Sequence, residues 1–189
     1  GIRRRLVLDI TLNNLFTGCY GVEERLFLDK LAGESIRHVA MKLLAWLVTY
    51  QPGLEIEASV GEHYKPDLVR VDHNGKIRDW VDCGQTSITK LKAVYRRHSD
   101  ATIVIVKASR GELHHYYKQA VERLPELASV RYLTVDNAGI QALCGVLQKR
   151  HRLVATTGEG PDVVYLTVDN VDLELSLIRL GGWSDSEQS

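Results

Sequence analysis

The fold of this chain is decided by the stretch KPDLVRVDHNGKIRDWVDCG, residues 65–84. Asn74-Gly75 is a strong signal for a tight hairpin turn, because both residues accept the positive φ that such turns require. On either side, Asp67 to Asp72 and Ile77 to Cys83 carry the alternating β-branched pattern of strands, and Leu54 to Val60 precedes them as a third candidate. Together these three predict a β-meander. Asp67 then stands at the start of its second strand and Asp82 near the end of its third. Side chains alternate across a strand, so Asp67 shares a face with Val69 and Val71, and Asp82 shares one with Trp80 and Gly84.

Outward from the meander, the flanking elements are equally legible. Before it, Ile36, Val39, Leu43, Trp46, Leu47 and Tyr50 recur at the spacing of one helical face; Glu34 and Ser35 open this helix and Pro52-Gly53 stops it. After it, Thr86 or Ser87 can cap a helix with Ile88, Leu91, Val94 and Tyr95 as its apolar stripe and Lys90, Lys92, Arg96 and Arg97 on the remainder. Ala101 to Lys107 is nearly all apolar, as befits a central strand covered on both faces. A helix from Gly111 to about Leu124, a strand from Val130 to Val135 and a helix from Asn137 to Arg150 follow. The ends of the chain read as further strands: Arg4 to Leu15 paired with Arg25 to Lys30, and a meander of Arg152 to Thr156, Val163 to Val168 and Leu173 to Leu180. Gly181 onward reads as polar and frayed.

The 189 residues suffice for one core without disulfides or a structural metal, and 44% hydrophobic with 25% charged residues is ordinary for a globular domain. One domain over residues 1–182, with a disordered tail at 183–189, is expected. Lys plus Arg and Asp plus Glu both number 24, so any nucleic-acid surface must be local rather than global. Cys19, Cys83 and Cys144 are odd in number and in no metal-ligand spacing, which points to a reducing cytoplasm. The longest nearly apolar stretch, Val39 to Tyr50, contains Lys42 and is too short to span a bilayer, so no membrane association is expected. Arg3 to Arg5 leads into no cleavable signal. P-loop, serine-hydrolase and zinc-protease motifs are absent from the sequence.

At this point the chain resembles the PD-(D/E)XK nuclease superfamily, through Pro66-Asp67 and Asp82-Cys83-Gly84. More closely it is similar to the YaeQ family of bacterial proteins, through Glu34 before the helix ending Leu43-Leu44-Ala45-Trp46-Leu47, through Lys65-Pro66-Asp67-Leu68 and Trp80-Val81-Asp82-Cys83-Gly84-Gln85, and through Lys92-Ala93. The resemblance implies an α/β (α+β) fold with a restriction-endonuclease-like core of helix, three-strand meander, helix and strand, to which the N- and C-terminal segments add antiparallel strands. It also implies Asp67 and Asp82 as ligands of Mg2+ or Mn2+, with Glu34 as an auxiliary acid. Active members of the superfamily carry a lysine two residues after the second acid, and here that position is Gly84. The resemblance favours Lys92 as the relocated lysine; Lys90 is nearer in sequence, and Gln85 is a neutral hydrogen-bonding candidate.

Each of these residues also has a plainer reading. Pro161-Asp162 repeats the Pro-Asp pair and reads as a turn. Glu34 in a first helical turn favours the unpaired N–H groups there without any catalytic role. The basic residues of 90–97 suit the solvated side of an amphipathic helix. His114 and His115, adjacent on a helix, point about 100° apart and make a poor zinc pair. The expected function is a magnesium-dependent phosphodiesterase acting on nucleic acid; the rival is a nuclease-like domain without catalysis that binds nucleic acid or a protein partner.

Overall fold

The computed structural model describes residues 4–56, 64–160 and 162–183. Its elements are β1 (Arg4–Asn14), β2 (Cys19–Lys30), α1 (Ile36–Thr49), β3 (Glu55–Ile56), β4 (Leu68–Val71), β5 (Ile77–Cys83), α2 (Ile88–Arg97), β6 (Thr102–Val106) and α3 (Arg110–Arg123). After these come β7 (Arg131–Val135), α4 (Asn137–Val146), β8 (Arg150–Thr157), β9 (Val163–Val168) and β10 (Val171–Gly181), giving a mixed α+β fold. The chain divides into two compact units: the described residues of 1–50 and 135–177 form one, and those of 51–134 and 178–183 the other.

In the first unit the strands run in the order β2, β1, β8, β9, β10. The β1–β2 hairpin is antiparallel, with Arg4 opposite Lys30, whereas β8 lies parallel to β1, with Val7 opposite Arg150. Alternation along β1 sends Leu6, Leu8, Ile10 and Leu12 to one buried face, where each contributes about 2 kcal/mol by leaving water. Helix α1 packs against β1, β2, β8 and α4. Ser35 caps it, accepting a hydrogen bond from the His38 N–H. Its far end is tied down by Asn14, wholly buried, whose side-chain amide donates to the carbonyls of Leu47 and Val48 at 2.8 and 3.0 Å. The helix is buried all round from Val39 to Val48, Lys42 included, rather than along one stripe.

In the second unit β3, β4 and β5 form the antiparallel meander, and β5, β6 and β7 run parallel, with the last residues of β10 beside β7. The hairpin at residues 72–76 forms, with positive φ at Gly75 (80°) but not at Asn74, and the Asp72 carboxylate accepts from the N–H groups of Asn74 and Lys76. Positions 57–60 of the first expected strand lie outside the described residues. The core gathers Val69, Ile77 and Trp80 from the meander with Leu91 and Val94 of α2, Ile103 and Ile105 of β6, and Leu113 and Tyr116 of α3.

Four sequence expectations are corrected. Glu34 precedes the Ser35 cap and so lies outside the first turn of α1. Strand β2 begins at Cys19 rather than Arg25, because its pairing with β1 continues to Asn14. Helix α4 ends at Val146, not Arg150, because Arg150 already begins β8: the Val7 N–H donates to the Lys149 carbonyl and draws the chain into the sheet. The chain also stays engaged beyond Gly181. The Gly182 N–H donates to the Val130 carbonyl and the Trp183 indole to the Tyr132 carbonyl, while Arg131 and Arg179 each sit 5.3 Å from the Trp183 ring. Residues 184–189 of the expected tail lie outside the described residues.

Candidate metal centre

Strand β5 ends in the residues that matter. Trp80 and Asp82 lie two apart and share a face, and the Trp80 indole N–H donates to Asp82 Oδ2 at 3.0 Å. Beyond Cys83 the strand bends at Gly84, whose φ of 89° is a conformation that side chains with a Cβ disfavour by about 1–2 kcal/mol. A lysine on this backbone would be strained, so Gly84 is a structural requirement of the bend rather than merely a vacant catalytic position.

The bend delivers the chain to α2. Ser87 caps that helix, its hydroxyl accepting from the Lys90 N–H at 3.0 Å. Lys90 therefore stands in the first turn, where the helix dipole disfavours a cation. Its ammonium lies 3.5 Å from Asp82 Oδ2 and 5.5 Å from the centre of the Tyr64 ring. Two residues on, Lys92 is about 200° around the helix and so on the opposite flank; among the described residues it makes no ion pair. Of the two lysines expected near Asp82, the structure brings up Lys90. Gln85 is exposed in the connection between β5 and α2.

Asp82 is 3% exposed. Burial pushes its carboxyl above the ordinary value, against the Trp80 hydrogen bond and the charges of Lys90 and Lys107, which pull it down. Asp67 directly precedes β4. Its N–H donates to the Val81 carbonyl at 2.9 Å, and its Oδ2 accepts from the Cys83 N–H at 2.7 Å, so it holds the backbone on both sides of Asp82.

Lys107 went unrecognised as a site residue in the sequence, although one signal marks it: a lysine closing the apolar strand 101–107, at the carboxyl end of a parallel strand, where α/β sheets place their ligands. It is 8% exposed, donates to the Gly84 carbonyl at 2.6 Å, and lies 4.1 Å over the Tyr116 ring. Burial lowers its ammonium below the ordinary lysine value, opposed by Glu112, Asp82 and Cys83.

Glu34 belongs to the first unit, whereas Asp67 and Asp82 belong to the second. One of its oxygens accepts from the Leu31 N–H at 3.0 Å; the other lies 2.8 Å from the ammonium of buried Lys42 and 3.4 Å from His38. Burial raises its carboxyl, but the Lys42 and Leu31 hydrogen bonds and the charges of Lys42 and His38 outweigh that and leave it below the ordinary value. His114 and His115 are exposed on α3.

Among the described residues no three or more His, Cys, Asp or Glu side chains group as a metal cluster. Magnesium asks for less: one or two carboxylates, with water and phosphate oxygens completing its octahedron. Both named contacts to Asp82 reach the same oxygen, Oδ2. Two aspartates as ligands would suit a hard cation such as magnesium or manganese by their chemistry, and would not make a closed zinc site.

A search of curated proteins gives no match. Among solved structures the chain is similar to the YaeQ protein from Xanthomonas axonopodis pv. citri, with TM-score 0.81 and 18% identity over 94% of this chain and 98% of that one. It is likewise similar to the YaeQ protein from Pseudomonas syringae, with TM-score 0.77 and 19% identity over 95% of this chain and 96% of that one. At such identities these two show the fold. A protein-family model described as "YaeQ protein" matches residues 9–177, and the chain therefore belongs to the YaeQ family.

Proposed function

We propose that the protein is a Mg2+- or Mn2+-dependent phosphodiesterase of the PD-(D/E)XK type, with nucleic acid as its substrate. The observation that carries this reading is the pairing of buried Asp82 with a lysine supplied from the next helix, Lys90, in a unit where meander, helix and parallel strand succeed one another. Asp67 and Asp82 would hold the ion, which when bound polarises phosphoryl oxygens and acidifies water. Trp80 orients the Asp82 carboxylate through its indole N–H. Lys90, 3.5 Å from the Asp82 carboxylate, supplies the cation that faces the developing phosphoryl charge. Glu34, the auxiliary acid of the resemblance, belongs to the other unit, where it partners Lys42, and has no part in this site. Cys19, Cys83 and Cys144 form no disulfide among the described residues, which supports a reducing compartment such as the cytoplasm.

The test is cleavage of single- and double-stranded DNA and RNA by purified protein with Mg2+ or Mn2+. Metal-dependent cleavage that disappears in Asp82→Asn, with the circular dichroism spectrum unchanged, is expected. One set of contacts favours the rival, a binding module without catalysis: Asp82 Oδ2 already faces Trp80 and Lys90, and Asp67 Oδ2 already holds the Cys83 N–H. Nucleic-acid binding without turnover by wild-type protein would decide for that module.

A further inference from the structure

Gly84 is the point where β5 leaves the sheet, and β6 holds it from both sides. Its N–H donates to the Val106 carbonyl at 3.3 Å, and its carbonyl accepts from the Lys107 ammonium at 2.6 Å. The first of these continues the parallel ladder; the second is a side chain standing in for a ladder that has ended. Lys107 is itself fixed. Its own N–H donates to the Leu133 carbonyl at 3.0 Å, and its ammonium rests over Tyr116, whose hydroxyl donates to the carbonyl of Ser87, the cap of α2, at 3.4 Å. Both ends of the connection between Asp82 and Lys90, at Gly84 and at Ser87, are therefore fastened to the Lys107–Tyr116 pair.

A buried ammonium is an expensive way to satisfy one carbonyl, since its desolvation costs several kcal/mol before any partner is found. Water could satisfy a bend left open to solvent at far lower cost. What the ammonium adds is a charge-assisted bond, shorter and stronger than a neutral one. It acts on the short segment that sets where Lys90 stands relative to Asp82.

We propose that Lys107 is a positioning residue of the candidate centre: through the Gly84 carbonyl it fixes the bend after β5 and so sets the distance between the Asp82 carboxylate and the Lys90 ammonium. Lys107 does not touch the substrate in this scheme and acts through Gly84. The catalytic part of the proposal rests on the nuclease reading above; the fastening of the bend does not.

The experiment compares wild type with Lys107→Met, which keeps the length and removes charge and donors, and Lys107→Arg, which keeps both. Two measurements are made: amide hydrogen exchange at Gly84 by NMR without added metal, and steady-state cleavage of an oligonucleotide with Mn2+. Expected for Lys107→Met are exchange at Gly84 at least tenfold faster, with the β4 and β7 amides unchanged, and a kcat at least tenfold lower with KM within threefold. Lys107→Arg should recover most of both. Unchanged exchange in Lys107→Met overturns the proposal, as does a loss of kcat that Arg fails to rescue. Should Lys107→Met fail to fold, Lys107→Gln replaces it with the same criteria. Absence of cleavage by wild type overturns the nuclease reading alone, and the fastening is then judged on amide exchange, where accelerated Gly84 exchange supports it and unchanged exchange ends it.

Discussion

At the scale of single residues, Asp82 is a buried carboxyl whose charge is held at some cost to stability. Its folded carboxyl is raised above 3.8 by burial, so its contribution to stability is complete below that unfolded value and is lost as pH rises through the folded one. Asparagine keeps an oxygen to accept the Trp80 N–H and carries no charge to desolvate, while Lys90, with 19% of its side chain exposed, can turn its ammonium to water. In metal-free buffer near pH 8, Asp82→Asn should therefore melt above wild type by about 2–4 °C, the shift of ~1 kcal/mol in a domain of this size. Below about pH 4 the two should converge, and thermal melts across pH decide it. The sequence marked Asp67 and Asp82 as a pair because proline, glycine and strand alternation are local signals. It could not show that Gly84 sits at positive φ or that Lys107 reaches it, because both depend on where β5 and β6 separate.

At the scale of elements, α1 was legible from its period and its cap, but not the circumstance that buries Lys42 within it. That lysine has 3% of its side chain exposed, and Glu34 lies 2.8 Å from its ammonium. Glu34 is consequently a structural partner of α1 whatever else it does. Glu34→Gln removes a carboxylate from a buried cation and should cost about 3 kcal/mol at pH 7. The folded Glu34 carboxyl lies below its ordinary 4.5, so its stabilisation is present above that value and fades as pH falls through the folded one. The gap between wild type and variant in urea unfolding should accordingly narrow as pH drops below 4.5; a gap constant down to pH 3 would show that Glu34 does not hold the lysine as an ion. Element boundaries followed the same rule of local against distant causes. Ser35, Ser87 and Ser109 cap their helices with their own hydroxyls, and a reader of sequence can see a serine before an apolar period. The end of α4 depends on β1, more than a hundred residues away, and only the tertiary structure supplies it.

At the scale of the whole chain, the two meanders were readable because their turns are written in adjacent residues, whereas the parallel pairing of β1 with β8 has no local signature at all. Antiparallel neighbours joined by a few residues declare themselves; a parallel pair joined through most of the chain cannot. The same fact makes a prediction about folding. The first unit is discontinuous in sequence: β1, β2 and α1 come from residues 4–49, and β8, β9, β10 and α4 from beyond residue 135. Without β8, β1 loses its parallel neighbour from Val7 to Asn14, and α1 loses the faces it packs on β8 and α4. The hairpin alone can cover only one side of α1, which is buried all round in the complete unit, and so small a fragment buries too little apolar surface to hold itself together. A chain truncated after Thr134 should thus leave the amides of Leu6 to Leu12 exchanging as in an unfolded peptide, although β1 and β2 are complete. Strong protection of those amides in the truncated chain would mean that the hairpin and α1 hold together alone, and that the C-terminal meander joins a unit already formed.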